Sequence, residues 1–280
     1  MADGQVVFQV TADNSKLSSE LDSSTSVINK KTSGWAGAAK GAAVAIGASF
    51  TALAAVGKQV YDFGSEYEQT IANASTLFGD TQVDVDNLND KMLALSDSTG
   101  IAASELGTTL YNALSAGIPA TEDMGEAMDF LTKSSELAKA GFTDVDTAVT
   151  TTAKILNSYK MDVSEADRVQ KILMQTQNNG ITTVGELGAS LAQVTPTAAA
   201  MNVAFEQVGA ALAGMTAQGT PTAQATTQLN SMFAELGKSG TIAQKALAEA
   251  TKGTKYAGKS FQDLMKEGVP LNDVLDMMGY

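Results

Sequence analysis

The acidic side chains are the residues of this sequence with the most evident capacity for chemistry. Asp80, Asp84, Asp86 and Asp90 fall within eleven consecutive positions, and such a density of carboxylates could in principle bind Ca²⁺. An EF-hand loop, however, requires oxygen ligands at alternate positions, and Leu88 occupies a place where a ligand is needed. We therefore interpret the cluster as solvated carboxylates and helix caps.

A second pair of acids, Glu66 and Glu68, has side chains suited to glycoside hydrolysis but an unsuitable spacing. Residues two apart on a helix point away from one another. The chain also has no histidine and no cysteine, which excludes a Ser-His-Asp triad, a cysteine nucleophile, disulfides and zinc sites built from these ligands. An all-α hydrolase that uses carboxylates remains as the weakest hypothesis, so we predict no enzyme, no cofactor and no metal.

The net charge of −13 is unevenly distributed along the chain. Residues 23–61 contain four lysines and no acid, so the remainder carries all of the negative charge, and arginine occurs once, at Arg168. Proteins that bind nucleic acid normally present clustered Arg and Lys to the phosphates, and an acidic surface repels DNA. We therefore expect no sequence-specific binding of nucleic acid.

The hydrophobic pattern predicts a mainly α fold that begins with a short strand. Residues 5–11 are apolar and β-branched and predict an isolated strand, with a turn completing an N-terminal segment 1–14. A lone strand is unstable in water, so it needs a partner. Over residues 15–78, apolar positions recur about every 3.5 residues and indicate a long, Ala/Gly-rich, coiled-coil-like helix that associates with other copies.

An uncharged segment, residues 41–57, lies within this helix between two lysines. Its length is at the lower limit for crossing a bilayer, which normally takes about 20 residues. Two interpretations stay open, namely a helix buried in a homo-oligomeric bundle and a helix that inserts into a membrane. The candidate residues for self-association or membrane contact are Gly41, Ala45, Ile46, Phe50, Leu53, Gly57, Val60, Tyr67 and Ile71.

An array of short antiparallel helices is predicted for residues 79–240, followed by a looser helical extension, residues 241–280, that reads like part of a longer chain. A sequence motif occurs twice in this array: it reads Gly100-Ile-Ala-Ala-Ser-Glu-Leu-Gly-Thr-Thr-Leu110 and is repeated in modified form from Gly180. Weaker echoes begin at Gly117, Gly141 and Gly219. We predict that each of these glycines adopts the left-handed conformation that ends a helix.

Helix starts are predicted from residues that cap N-termini or favour the first turn. Asp84, Asp144, Ser164 (with Asp167) and Thr183 (with Glu186) are predicted N-caps, Thr195-Pro196 and Thr220-Pro221 are predicted cap–proline starts, Pro119 is predicted to lie in a first turn, and Ser260 or Pro270 to begin short helices.

Several phrases of the array resemble, in the same order, the core of the tail tape measure proteins of long-tailed bacteriophages. The likeness covers approximately residues 67–236, and the strand and Ala/Gly-rich helix before it are similar to that family's usual opening. The family-like positions are Gly100, Ile101, Glu105, Leu106, Tyr111, Asn112, Gly117, Pro119, Gly180, Glu186, Leu187 and Pro196.

This resemblance implies a structural function. Tape measure proteins occupy the lumen of the tail tube, set its length during assembly in the host cytoplasm, and leave before the genome, whose passage across the host envelope they assist. The implied partners are further copies of the chain, tail tube and tail tip proteins and tail assembly chaperones, with the host membrane as an additional candidate. The alternative hypothesis is a membrane-active helical protein that inserts residues 41–57 into a bilayer independently of a tail.

Overall fold

The computed structural model describes residues 64–279 of the chain, and these residues form thirteen α-helices without any strand. The predicted strand, the segment 41–57 and most of the predicted long helix lie outside the described residues. The predicted mainly α fold and its array of short helices are confirmed for the part of the chain that the structure describes.

Helix α1 occupies residues 64–75. The longer helices that follow are α2 (Val85–Thr99), α3 (Ala103–Ser115), α4 (Gly125–Ala140), α5 (Val145–Tyr159), α6 (Ala166–Asn179), α9 (Phe205–Ala217) and α10 (Thr222–Gly237). The shorter ones are α7 (Val184–Ser190), α8 (Thr195–Ala200), α11 (Ile242–Ala250), α12 (Phe261–Lys266) and α13 (Leu271–Met277). Two 3₁₀ turns, Val163–Glu165 and Leu191–Gln193, precede α6 and α8.

One continuous hydrophobic core extends through the described helices. Helix α4 packs on α5, α6 packs on α9, and α10 packs on both α7 and α9. The largest fully buried side chains of this core are Phe130, Phe205, Phe233 and Phe261. Because apolar burial is the main favourable term in folding, this shared core holds the helices of the array together as one packed unit.

The C-terminal segment, predicted to be a looser extension, contributes to that core. Leu247, Phe261 and Leu264 are buried, and the Phe261 ring stacks on Phe233 of α10 with ring centroids 6.2 Å apart. Four lysines of this segment lie on its exposed surface, namely Lys245, Lys252, Lys255 and Lys266. No break in packing therefore occurs near residue 240.

The last part of the predicted helical seam packs on the array itself. Tyr67 and Ile71 of α1 are 9% and 6% exposed, and the Tyr67 hydroxyl donates a hydrogen bond to Asn89 Oδ1 at 2.9 Å. The helix ends at residue 75, and Phe78 is buried beyond it. Tyr67 and Ile71 are therefore covered, in this structure, by residues of the same chain. A 3.5-residue period marks a buried face without identifying what covers it.

Candidate functional site

The ends of the helices determine how side chains are presented at the surface of the array. Six helices end with the same turn. In this turn a backbone N–H donates to the carbonyl five residues earlier, and the residue directly before the donor has positive φ. The donors are Ile118, Thr143, Met161, Val203, Thr220 and Val269, and the residues with positive φ are Gly117, Phe142, Lys160, Asn202, Gly219 and Gly268.

The predicted left-handed glycines are confirmed at Gly100, Gly117 and Gly219, with φ of 71°, 99° and 92°. They are wrong at Gly141 and Gly180, where φ is −90° and −117°.

Close helix packing explains the two exceptions. A Cβ on Gly141 would lie 2.6 Å from Val184 Cγ2, and a Cβ on Gly180 would lie 3.0 Å from the Cα of Ala213. These glycines therefore permit backbone elements to approach closely, while Phe142 takes the left-handed position beside Gly141.

Three predicted N-caps and the predicted helix start at Ser260 are confirmed by hydrogen bonds from backbone N–H groups. Asp84 accepts from Asn87 at 3.1 Å, Asp144 from Thr147 at 2.7 Å, and Thr183 from Glu186 at 3.1 Å. Ser260 forms a complete capping box with Asp263, and the predicted start at Pro270 is also confirmed, since Pro270 is the N-cap of α13. Asp84 thus has the capping role expected from its cluster.

The remaining predicted helix starts are wrong for local reasons. Ser164 lies inside a 3₁₀ turn that Asp162 caps, so the turn displaces the start of α6. Thr195 is already helical, because the chain passes almost directly from α7 through a 3₁₀ turn into α8. Pro221 is itself the N-cap of α10, and Pro119 lies ahead of α4, which begins at Gly125.

The family-like positions are structural and do not converge on one site. Leu106 and Leu187 are fully buried, whereas Glu105 and the two prolines, Pro119 and Pro196, are exposed. Ile101 packs partly buried against the core, and Tyr111 is 37% exposed.

Two family-like polar residues connect helices. The Asn112 side chain of α3 donates to Asp146 Oδ1 of α5 at 2.6 Å. The Glu186 carboxylate of α7 accepts from the hydroxyl of Thr222 of α10 at 3.0 Å. These bonds fix one helix relative to another, which is a stabilising function and not a catalytic one.

The ion pairs of the described residues lie at the surface of the array. Arg168 of α6 donates to Glu165 at 2.8 Å and to Glu206 of α9 at 2.6 Å, but all three side chains are substantially exposed, so the network contributes little stability. Among residues 64–279, no group of three or more acidic side chains has an arrangement that could hold a metal ion. Within the same residues, no helix has the length and apolarity needed to span a membrane.

Two tyrosines, Tyr67, which is buried, and Tyr159, which is partly buried, have pKa values raised by their surroundings. Burial, with a contribution from Asp90, raises the pKa of Tyr67 to about 12, and burial together with Glu206 raises the pKa of Tyr159. Since the pKa of an unfolded tyrosine is about 10, the contribution of these tyrosines to stability is complete below pH 10 and falls as the pH rises through 12.

We expect the midpoint of thermal unfolding to decrease between pH 10 and 12 and to decrease less in a Tyr67→Phe/Tyr159→Phe variant. Circular dichroism measures the decrease. Tyr111→Phe, at an exposed position, is the control and should follow the wild type. An equally steep decrease in the double variant would contradict the prediction.

Two large apolar side chains are strongly exposed on neighbouring loops. Phe142, which follows α4, is 84% exposed, and Ile181, which follows α6, is 71% exposed. Gln177 connects the loops, since its amide donates to the Ala140 carbonyl at 3.2 Å and its oxygen accepts from Val184 N at 2.8 Å. We call Phe142 and Ile181 the apolar pair.

Sequence reasoning missed the apolar pair, although a signal is present. A large apolar residue follows the glycine in four of the five repeats, but Ile118 after Gly117 is only 5% exposed. The motif identifies the position, and tertiary packing decides whether the side chain is covered. The exposed members of the motif are the ones available for contact with another molecule.

Comparison with known proteins shows that this chain is similar to phage tail proteins. Residues 89–279 match the model of a family described as phage-related minor tail protein. A curated relative, the "Probable tape measure protein" of Clostridium phage phiCD119, is 65% identical over 215 residues, which are 77% of this chain and 23% of the relative. The chain thus spans about a quarter of that relative's length. No solved structure matches the chain.

Proposed function

The chain belongs to the phage-related minor tail protein family, and we propose that it is a segment of a tail tape measure protein that sets tail length inside the tube and later assists passage of the genome across the host envelope. Family membership makes it a structural component of a phage tail and supports a structural over an enzymatic role. The proposal rests on the 65% identity to a probable tape measure protein.

The described residues support a folded head attached to a ruler located elsewhere in a longer chain. A helix gains about 1.5 Å per residue, so a tape measure acts through long, straight helices. Here the longest described helices have 16 residues and fold back on a shared core. In the proposal, residues 64–279 therefore supply a compact domain, and the length-setting helices lie in other parts of the full-length protein.

Tail length in phage that carry deletions of this gene tests the proposal. We expect in-frame deletions outside the head to shorten the tail by about 1.5 Å per residue removed, as measured by electron microscopy. Deletion of α11–α13 should instead prevent tail formation, because it exposes the core around Phe233. A tail of normal length after a long deletion outside the head, or one shortened in proportion to a deletion inside it, would overturn the proposal.

We assign contacts with other proteins to two parts of the chain. Residues 15–63, with the candidate positions from Gly41 to Val60, are proposed to associate with other copies and to reach the host membrane during ejection. The array is proposed to contact tail tube and tail tip proteins, or assembly chaperones, through the apolar pair. Large apolar side chains that are strongly exposed on neighbouring loops are a feature of contact surfaces.

A Phe142→Ser/Ile181→Ser variant tests this second assignment. Because both side chains are largely exposed, the substitutions should leave the midpoint of thermal unfolding nearly unchanged. We expect complementation of a phage that lacks the gene to fall by at least tenfold. A Val85→Ser/Leu77→Ser variant, at two less exposed apolar positions, is the control, and equal complementation by both variants would exclude a special role for the apolar pair.

A further inference from the structure

A cleft of about 690 Å³ lies where the end of α5, the turn between α8 and α9, and the end of α12 meet. The Gln262 side chain of α12 donates to the Ala200 carbonyl at 3.2 Å and holds two of these elements together. Apart from the Tyr159 ring, the apolar lining consists mainly of small side chains: Pro196, Ala199, Ala200, Val203, Ala204 and Met265. Such a lining allows the backbone of a bound chain to approach closely.

Basic groups border the cleft although the protein as a whole is acidic. Lys160 and Lys266 line it from two different helix ends, Asn202 adds an amide, and none of the lining residues is acidic. Both lysines are exposed and, within the described residues, neither forms an ion pair with a carboxylate. Although the net charge of the chain is −13, the positive charge at this cleft therefore favours a negatively charged ligand.

The backbone at the cleft has a conformation that favours glycine. Lys160 and Asn202 have φ of 53° and 59°, in the same turn where Gly117, Gly219 and Gly268 occur elsewhere in the array. Asparagine tolerates this region comparatively well, but lysine does not. The chain thus retains a charged side chain at a position where glycine would relieve strain, as expected when the side chain has a function.

We propose that the cleft binds an acidic peptide segment of a partner protein, with carboxylates paired to Lys160 and Lys266 and apolar side chains packed on the small-residue lining. A segment of this kind matches both the charge and the apolar surface of the cleft. Nucleic acid does not, because two lysines on an acidic body give a long polyanion little to pair with.

Fluorescence anisotropy with a labelled octapeptide of alternating glutamate and leucine tests the proposal on the full chain. We expect saturable binding, and at least tenfold weaker binding to a Lys160→Glu/Lys266→Glu variant. The matched control is Lys139→Glu/Lys154→Glu, which changes the net charge equally at exposed lysines outside the cleft and should retain affinity within twofold. Absence of saturable binding, equal loss in both variants, or equal displacement of the peptide by single-stranded DNA would overturn the proposal.

A Lys160→Gly variant separates a role in binding from a role in folding. Glycine relieves the strained backbone, so the midpoint of thermal unfolding should rise by about 2–4 °C, while affinity for the peptide should fall at least fivefold. Phe142→Gly relieves the same strain outside the cleft and should raise the midpoint without changing affinity. Unchanged affinity in Lys160→Gly would show that the lysine does not contact the peptide.

Discussion

Phe233→Ala lowers the free energy of unfolding by about 3–5 kcal/mol, the range for truncating a fully buried phenylalanine. Phe233 lies in α10 with no exposed surface, and its ring stacks on that of Phe261 at an interplanar angle of 25°. The substitution removes buried apolar area and leaves a cavity between α10 and α12. Because Phe261 is itself fully buried, the cavity cannot close without moving α12.

Urea unfolding followed by circular dichroism measures this effect, and limited proteolysis locates it. We expect cleavage first within residues 241–279, since the Phe233–Phe261 contact is part of what holds that segment to the rest of the core. Phe142→Ala is the control for loss of a phenyl ring: Phe142 is 84% exposed, so the change should stay within about 0.5 kcal/mol. A loss below 1 kcal/mol in Phe233→Ala would mean that the C-terminal helices pack only loosely.

The local signals of the sequence predict where helices occur more reliably than how their ends are built. The repeated motif illustrates this difference, because Gly100 and Gly180 begin nearly the same amino-acid sequence. Gly100 ends α2 in the left-handed conformation, whereas Gly180 is extended and lies against Ala213 of α9. Ala213, which contacts Gly180, is 33 residues away in the sequence, so no local pattern can reveal the contact.

The candidate surfaces were still harder to predict, for a related reason. The period of the seam correctly marks Tyr67 and Ile71 as buried, but these residues are covered by the array of the same chain. The cleft assembles Lys160, Asn202 and Lys266 from three distant parts of the sequence. Individually they are ordinary residues at helix ends, and only the packing of α5, α8 and α12 brings them together.

Gly209→Ala lowers the free energy of unfolding by about 1–3 kcal/mol, although alanine is the better helix former. Gly209 lies within α9 where this helix crosses α6. A Cβ at this position would lie 2.7 Å from Thr176 Oγ1 and 2.8 Å from Ile172 Cγ2. Both neighbours are buried and β-branched, so their side chains cannot rotate away easily, and the two helices must separate.

Gly214→Ala provides the matched control on the same helix. This glycine is exposed and a Cβ would meet nothing within 4 Å, so the higher helix propensity of alanine should raise the free energy of unfolding by up to about 1 kcal/mol. Two glycines five residues apart thus give effects of opposite sign in the same denaturation experiment. A gain in stability for both would show that the α6–α9 crossing has room for a methyl group.

A double-mutant cycle with Thr176→Ala identifies the cause of the loss. Alone, Thr176→Ala removes the hydroxyl that donates to the Ile172 carbonyl at 2.8 Å and leaves space beside Gly209, so it should destabilise the protein. In the Gly209→Ala background it removes the clashing atom, and we expect a favourable coupling of at least 0.5 kcal/mol. Additive effects would place the cost elsewhere, whereas coupling would show that the fit of threonine against glycine sets the distance between α6 and α9.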